Sequence, residues 1–118
     1  MKLFMLSSLV LFVFSITGYS QSNKTFKDTI KVIFENDKLI VTEYDSNPGK
    51  DVCGIGRHSH NPHLNILFTD ASVKLTKDVG KSQLFDLKAG ATFWSEAETH
   101  MVVNNGNKPI KLYLIETK

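Results

Sequence analysis

Short runs of β-branched and aromatic residues, broken every few positions by turn formers, fill the chain from Thr29 onward. They predict strands over Thr29 to Phe34, Lys38 to Tyr44, Val52 to His60, His63 to Phe68, Ser72 to Thr76, Gln83 to Leu87, Thr92 to Trp94, His100 to Asn104 and Ile110 to Glu116. Between them stand Glu35 to Asp37, Ser46 to Gly49, Asn61-Pro62, Asp78 to Gly80, Lys88 to Gly90 and Asn104 to Pro109, segments rich in residues that accept turn backbones. Beyond Ile16 no stretch keeps apolar residues at helical spacing; the nearest candidate, Ser95 to Thr99, is too short and polar to hold a helix. The fold class is therefore all-β, a sandwich or barrel of many short strands. Alternation assigns faces: Val73 and Leu75 oppose Lys74, and Ile110, Leu112 and Leu114 oppose Lys111, Tyr113 and Ile115.

The first twenty residues follow a different pattern. Lys2 precedes an apolar run from Leu3 to Ile16 that ends in Thr17, Gly18, Tyr19 and Ser20. This predicts a signal peptide over 1–20, cleaved before Gln21, with the protein secreted or periplasmic. The run is short for a membrane span, so no membrane association is expected after cleavage; an uncleaved anchor is the alternative. Residues 21–28 read as a flexible segment, and 29–118 as one domain with one core.

Composition narrows the partners. Loss of Lys2 with the leader takes the net charge from +2 to +1, and no basic run with interleaved aromatics exists, so nucleic acid is not an expected partner. Cys53 is the single cysteine, so packing rather than disulfides must stabilise the domain. It has three readings: a buried small apolar residue, a reactive thiol, or a soft metal ligand.

The chemistry is concentrated in the histidines. All four fall in two places, His58, His60 and His63 in GRHSHNPH and His100 in ETHMVVN. Residues two apart on a strand share a face, so His58 and His60 can point at one ion while His100 arrives from another strand. The competing reading is a solvated loop beside Asn61-Pro62. Gly54 and Gly56 precede histidines rather than a helix, which suits a bulge or a close backbone approach better than a phosphate cradle.

Taken together, PGKDVCGIGRHSHNPHLNILFTDASVKL and LKAGATFWSEAETHMVVNNGNKPIKLYLIE resemble the cupin family over about Asn47 to Glu116. His58 and His60 match the His-x-His of its first motif; Gly90, His100 and Asn104 match the second. The resemblance implies a double-stranded β-helix, or jelly-roll barrel, holding a divalent transition metal (Fe, Mn, Ni or Zn) on His58, His60 and His100. Leu64 or Asn65 stands where the family carries a glutamate ligand, Ala71 where a glycine follows, and the second motif is one residue short, with Glu96 near the usual proline. His63, Asn65 or Glu96 are the candidates to replace the carboxylate.

These residues, with Trp94, are also the expected contacts for a small-molecule ligand or substrate; the simpler reading of each alone is a turn residue for His63, a solvated charge for Glu96 and core for Trp94. Glu96, Glu98 and His63 are the nearest candidates for a general base. Two functions follow: a metal-dependent protein acting on a small organic molecule, or a non-catalytic ligand-binding or structural cupin with a degenerate site. A homodimer is expected under either, because a short barrel leaves sheet edges to cover.

Overall fold

The computed structural model describes residues 28–78 and 80–118. The expected leader, 1–20, and all but the last residue of the segment 21–28 lie outside the described residues. Nine strands form and no helix among them: β1 (Thr29–Glu35), β2 (Leu39–Ser46), β3 (His58–His60), β4 (His63–Leu67), β5 (Ala71–Asp78), β6 (Lys81–Leu87), β7 (Thr92–Ser95), β8 (Glu98–Asn104) and β9 (Ile110–Thr117). One sheet has the order β1-β2-β9-β4-β7 and the other β3-β8-β5-β6, with every pairing antiparallel. After the β1–β2 hairpin the chain passes back and forth between the sheets, staying in one of them only for the β5–β6 hairpin. The all-β, double-sheet expectation is what forms.

Alternation supplies the core. His63, Asn65 and Leu67 of β4 turn inward, as do His100, Val102 and Asn104 of β8 and Ile110, Leu112 and Leu114 of β9. Ala71 and Val73 of β5 join them, with Tyr44, Val52 and Cys53 completing the buried cluster. Asn104, almost fully buried, ties the far end together: its amide donates to the Ser46 and Lys108 carbonyls, and its Oδ1 accepts from the Gly106 amide.

The strand expected over Val52 to His60 is not continuous. Only His58–His60 is extended; Cys53, Gly54 and Gly56 take φ of 58°, 149° and 59°, and the backbone folds back on itself before β3 begins. Val52 still donates to the Val102 carbonyl and Asp51 bridges to Val103, so the turn stays fastened to β8. Alternation alone could not reveal this, because a bulged turn keeps the same residue types while breaking the period.

Candidate metal centre

β3 lies against β8 in a register that sets His58 opposite His100 and His60 opposite Glu98. The His58 and His60 ring centroids are 4.7 Å apart, and those of His58 and His100 are 4.8 Å apart. The turn before β3 then delivers Cys53, whose Sγ lies 3.5 Å from His58 Nε2 and 3.6 Å from His100 Nε2. One ligand atom from each of Cys53, His58, His60 and His100 falls within 4.8 Å of the others, and all but His58 are buried. This is a possible metal site, and it includes the cysteine. Gly54 makes the approach feasible, since a Cβ there would sit 2.7 Å from His58 Cγ.

Each ring is held from behind. His58 Nδ1 is 2.9 Å from the Gly56 carbonyl, His100 Nδ1 is 2.6 Å from Glu98 Oε2, and His60 Nδ1 is 3.2 Å from Glu116 Oε1. The carboxylates are anchored in turn, Glu98 by Lys77 at 3.2 Å and Glu116 by the Asn61 amide at 2.7 Å. For His58 and His100, backing of this kind fixes the tautomer and aims Nε2 at the Cys53 sulfur, as behind metal-bound histidines.

With neutral rings, the centre holds more lone pairs than hydrogens. A neutral imidazole carries one N–H, and for His58 and His100 the acceptors at Nδ1 claim it. Both Nε2 lone pairs therefore face the Cys53 sulfur, which has a single hydrogen to give. His60 meets acceptors on both sides, Glu116 at Nδ1 and the Cys53 carbonyl 2.9 Å from Nε2, so one of its nitrogens opposes an oxygen. A tetrahedral ion with sulfur and imidazole ligands spaces them about 3.5 Å apart, close to the sulfur–nitrogen separations here.

Electrostatics favours neutral rings. Burial holds His58 below its ordinary value, helped by the neighbouring His60 and His100, against the opposing pull of the Gly56 carbonyl. Burial lowers His100 too and outweighs its bond to Glu98. The Cys53 thiol is pushed far up, by burial first and then by the charges of Glu98, Asp51 and Glu116. It is protonated in the metal-free protein, and binding an ion through it would expel that proton.

The remaining candidates separate cleanly. His63 is inward and only 2% exposed, its Nδ1 2.8 Å from the Asn61 carbonyl and its ring 4.9 Å from that of His60. The solvated-turn reading of His63 is thus replaced by burial beside the cluster, though outside the four-residue group. Asn65 is inward and donates to the Phe93 carbonyl and the Ser95 hydroxyl. Trp94 and Glu96 are not brought to the site. Trp94 is 51% exposed and donates from its indole to Glu96 at 2.8 Å. The expectations of Trp94 as core or pocket wall, and of Glu96 as a replacement ligand, are corrected: on β7 it is Phe93 and Ser95 that line the interior cavity.

That cavity, about 400 Å³, is lined by strands of both sheets and meets the cluster at Cys53, with Glu98, the brace of His100, also in its wall. By sequence alone no family model matches the chain and no curated relative is found. Solved structures do match. A cupin domain from Bordetella pertussis superposes with a TM-score of 0.68 at 24% identity, covering 80% of this chain and 97% of that one. The chain has the cupin fold. An RmlC-like cupin from Methanocaldococcus jannaschii agrees at a TM-score of 0.61 with 10% identity, over 89% of this chain and 93% of that one. A double-stranded β-helix protein from Klebsiella pneumoniae gives 0.59 at 17%, over 89% and 88%. Among the described residues the four-residue group contains no carboxylate, and Cys53 enters it from the turn before β3.

Sequence reasoning missed Glu116 entirely and named Glu98 only as a base. Glu98 was within reach, since it precedes His100 by two and shares its face. Glu116 lies 56 residues from His60, and only the sheet register joins them.

Proposed function

We propose that this protein is an exported, homodimeric cupin that holds a divalent transition metal on His58, His60, His100 and Cys53, and that it binds or acts on a small organic molecule in the adjoining cavity. The observation that carries the metal reading is the surplus of lone pairs: two imidazole Nε2 atoms converge on one thiol, and each ring is braced by an acceptor at its other nitrogen. A sulfur donor beside three imidazoles suits zinc, iron or nickel better than manganese, which prefers oxygen ligands. When bound, the ion supplies Lewis acidity beside the cavity. Export is supported by the apolar run after Lys2. Dimerisation is supported by β1, an edge strand that exposes Ile30, Val32 and Phe34.

One observation favours the non-catalytic alternative. Three imidazoles and a thiolate complete a tetrahedral shell, the closed arrangement of structural zinc sites, whereas catalytic sites keep a position open. The ion would then fasten the Cys53 turn to β3 and β8.

The test is elemental analysis of untagged protein beginning at Gln21, beside His60→Ala and His100→Ala. Near-stoichiometric metal in the parent and its loss in both variants is the expected result. A folded parent that carries no metal and cannot be loaded with zinc, iron or nickel would refute the reading.

A further inference from the structure

The cavity beside the cluster has a polarity pattern that specifies its occupant. Its inner wall is hydrocarbon, with Leu67, Val73, Val102 and Leu112 all buried. Among the described residues, the charged ones that line it are Lys77 and Glu98, and these are 3.2 Å from each other. Glu98 is further engaged by His100 at 2.6 Å, and the buried part of the wall, Leu67, Val73, Val102 and Leu112, carries no charge for an entering ion to pair with. At Asn65 and Ser95 the lining turns polar without charge. The Asn65 amide nitrogen is spent on the Phe93 carbonyl, at 3.3 Å, and the Ser95 hydroxyl, at 2.9 Å. Asn65 Oδ1 is left as an acceptor among the described residues, and the Ser95 hydroxyl hydrogen as a donor.

We infer that this cavity takes an uncharged, largely apolar small molecule, whose single hydroxyl or similar group pairs with Asn65 and Ser95. This names the ligand class of the site proposed above and rests on that reading for the ion beside it. The volume of about 400 Å³ lies within the range of about 300–1,000 Å³ typical of small-molecule pockets, so a single ring such as p-cresol fits with room to spare. The polarity follows from desolvation: a carboxylate or ammonium placed against the buried Leu67, Val73, Val102 and Leu112 loses water without gaining a partner there, whereas a hydroxyl at Asn65 and Ser95 meets both a donor and an acceptor.

The experiment titrates the untagged protein, as purified and after EDTA treatment, with p-cresol and with p-toluate, which are similar in shape but neutral and anionic respectively at about pH 7. Calorimetry gives the affinities, and methyl NMR shifts of Val73 and Val102 locate the ligand. p-Cresol is expected to bind at least tenfold more tightly than p-toluate before and after EDTA, shifting those methyls. Gln83→Lys, a change at an exposed position on the cavity rim, adds an uncommitted cation and should narrow the preference. Equal or tighter binding of p-toluate to the parent, absence of binding by both compounds, or cresol binding that leaves Val73 and Val102 unmoved would overturn the inference. The cresol preference without any metal would remove the ion and leave the ligand class; stoichiometric metal with a toluate preference would do the reverse.

Discussion

Around Cys53 the local chemistry is set by which nitrogen of each ring carries hydrogen. Gly56 and Glu98 claim the Nδ1 hydrogens of His58 and His100, which leaves their Nε2 atoms as electron-pair donors 3.5 and 3.6 Å from one sulfur. The same burial that keeps these rings neutral makes the metal-free protein acid-sensitive. Both rings lie below the ordinary histidine value of 6.5, so on acidification the unfolded chain takes up protons first. Their contribution to stability is complete above about pH 6.5 and is lost as pH falls below it. Glu98 adds to the loss further down: burial opposes its ionisation, but the bonds from His100 and Lys77 prevail and hold it below the ordinary 4.5. Thermal unfolding of EDTA-treated protein should therefore show a level Tm above about pH 7 and a falling one between about pH 6.5 and 5. A Tm that rises on acidification through that interval would contradict the neutral assignment.

At the scale of elements, the turn from Asp51 to Arg57 decides whether the site assembles. Gly54 combines a φ of 149° with a Cβ position 2.7 Å from the His58 ring, so Gly54→Ala meets both backbone strain and a collision. Strain of this kind costs about 1–3 kcal/mol, and displacement of the ring adds to it. Gly49→Ala is the control: its φ is 81°, but the added Cβ meets nothing within 4 Å. Urea unfolding should show both variants destabilised, with metal content falling in Gly54→Ala alone; unchanged metal in Gly54→Ala would remove the turn from the account. The strands themselves were legible because a half-buried strand writes its faces into the sequence, as Ile110, Leu112 and Leu114 do. The turn was not, since Val52 to His60 reads as one extended run until the glycine dihedrals are known. Trp94 misled for a related reason: its size argues for burial, yet its parity on β7 puts it outside, bonded to Glu96.

At the scale of the whole molecule, the His-x-His pair and the distant His100 were enough to locate the centre, because β3 and β8 are neighbours that set His58 opposite His100. The brace from Glu116 and the inward reach of Cys53 depend on contacts among elements far apart in sequence, and no local pattern announces them. The same is true of β1, whose seven residues are all exposed although four of them are large and apolar. An edge strand of that composition calls for a cover, and a second copy supplies one under the proposed function. Analytical ultracentrifugation should find a dimer that Ile30→Lys with Val32→Lys converts to a folded monomer. A parent that sediments as a monomer at micromolar concentration would contradict it.

Cobalt substitution tests the central claim most directly, since the ion reports its own ligands through its absorption spectrum. Untagged protein loaded with one Co(II) per chain is predicted to show intense visible bands of a tetrahedral ion and a sulfur-to-cobalt charge-transfer band in the near ultraviolet. Cys53→Ser should lose the charge-transfer band, and His100→Ala should lose the tetrahedral visible bands. Cobalt that fails to bind, or a parent spectrum without a sulfur band, would contradict a centre built from His58, His60, His100 and Cys53.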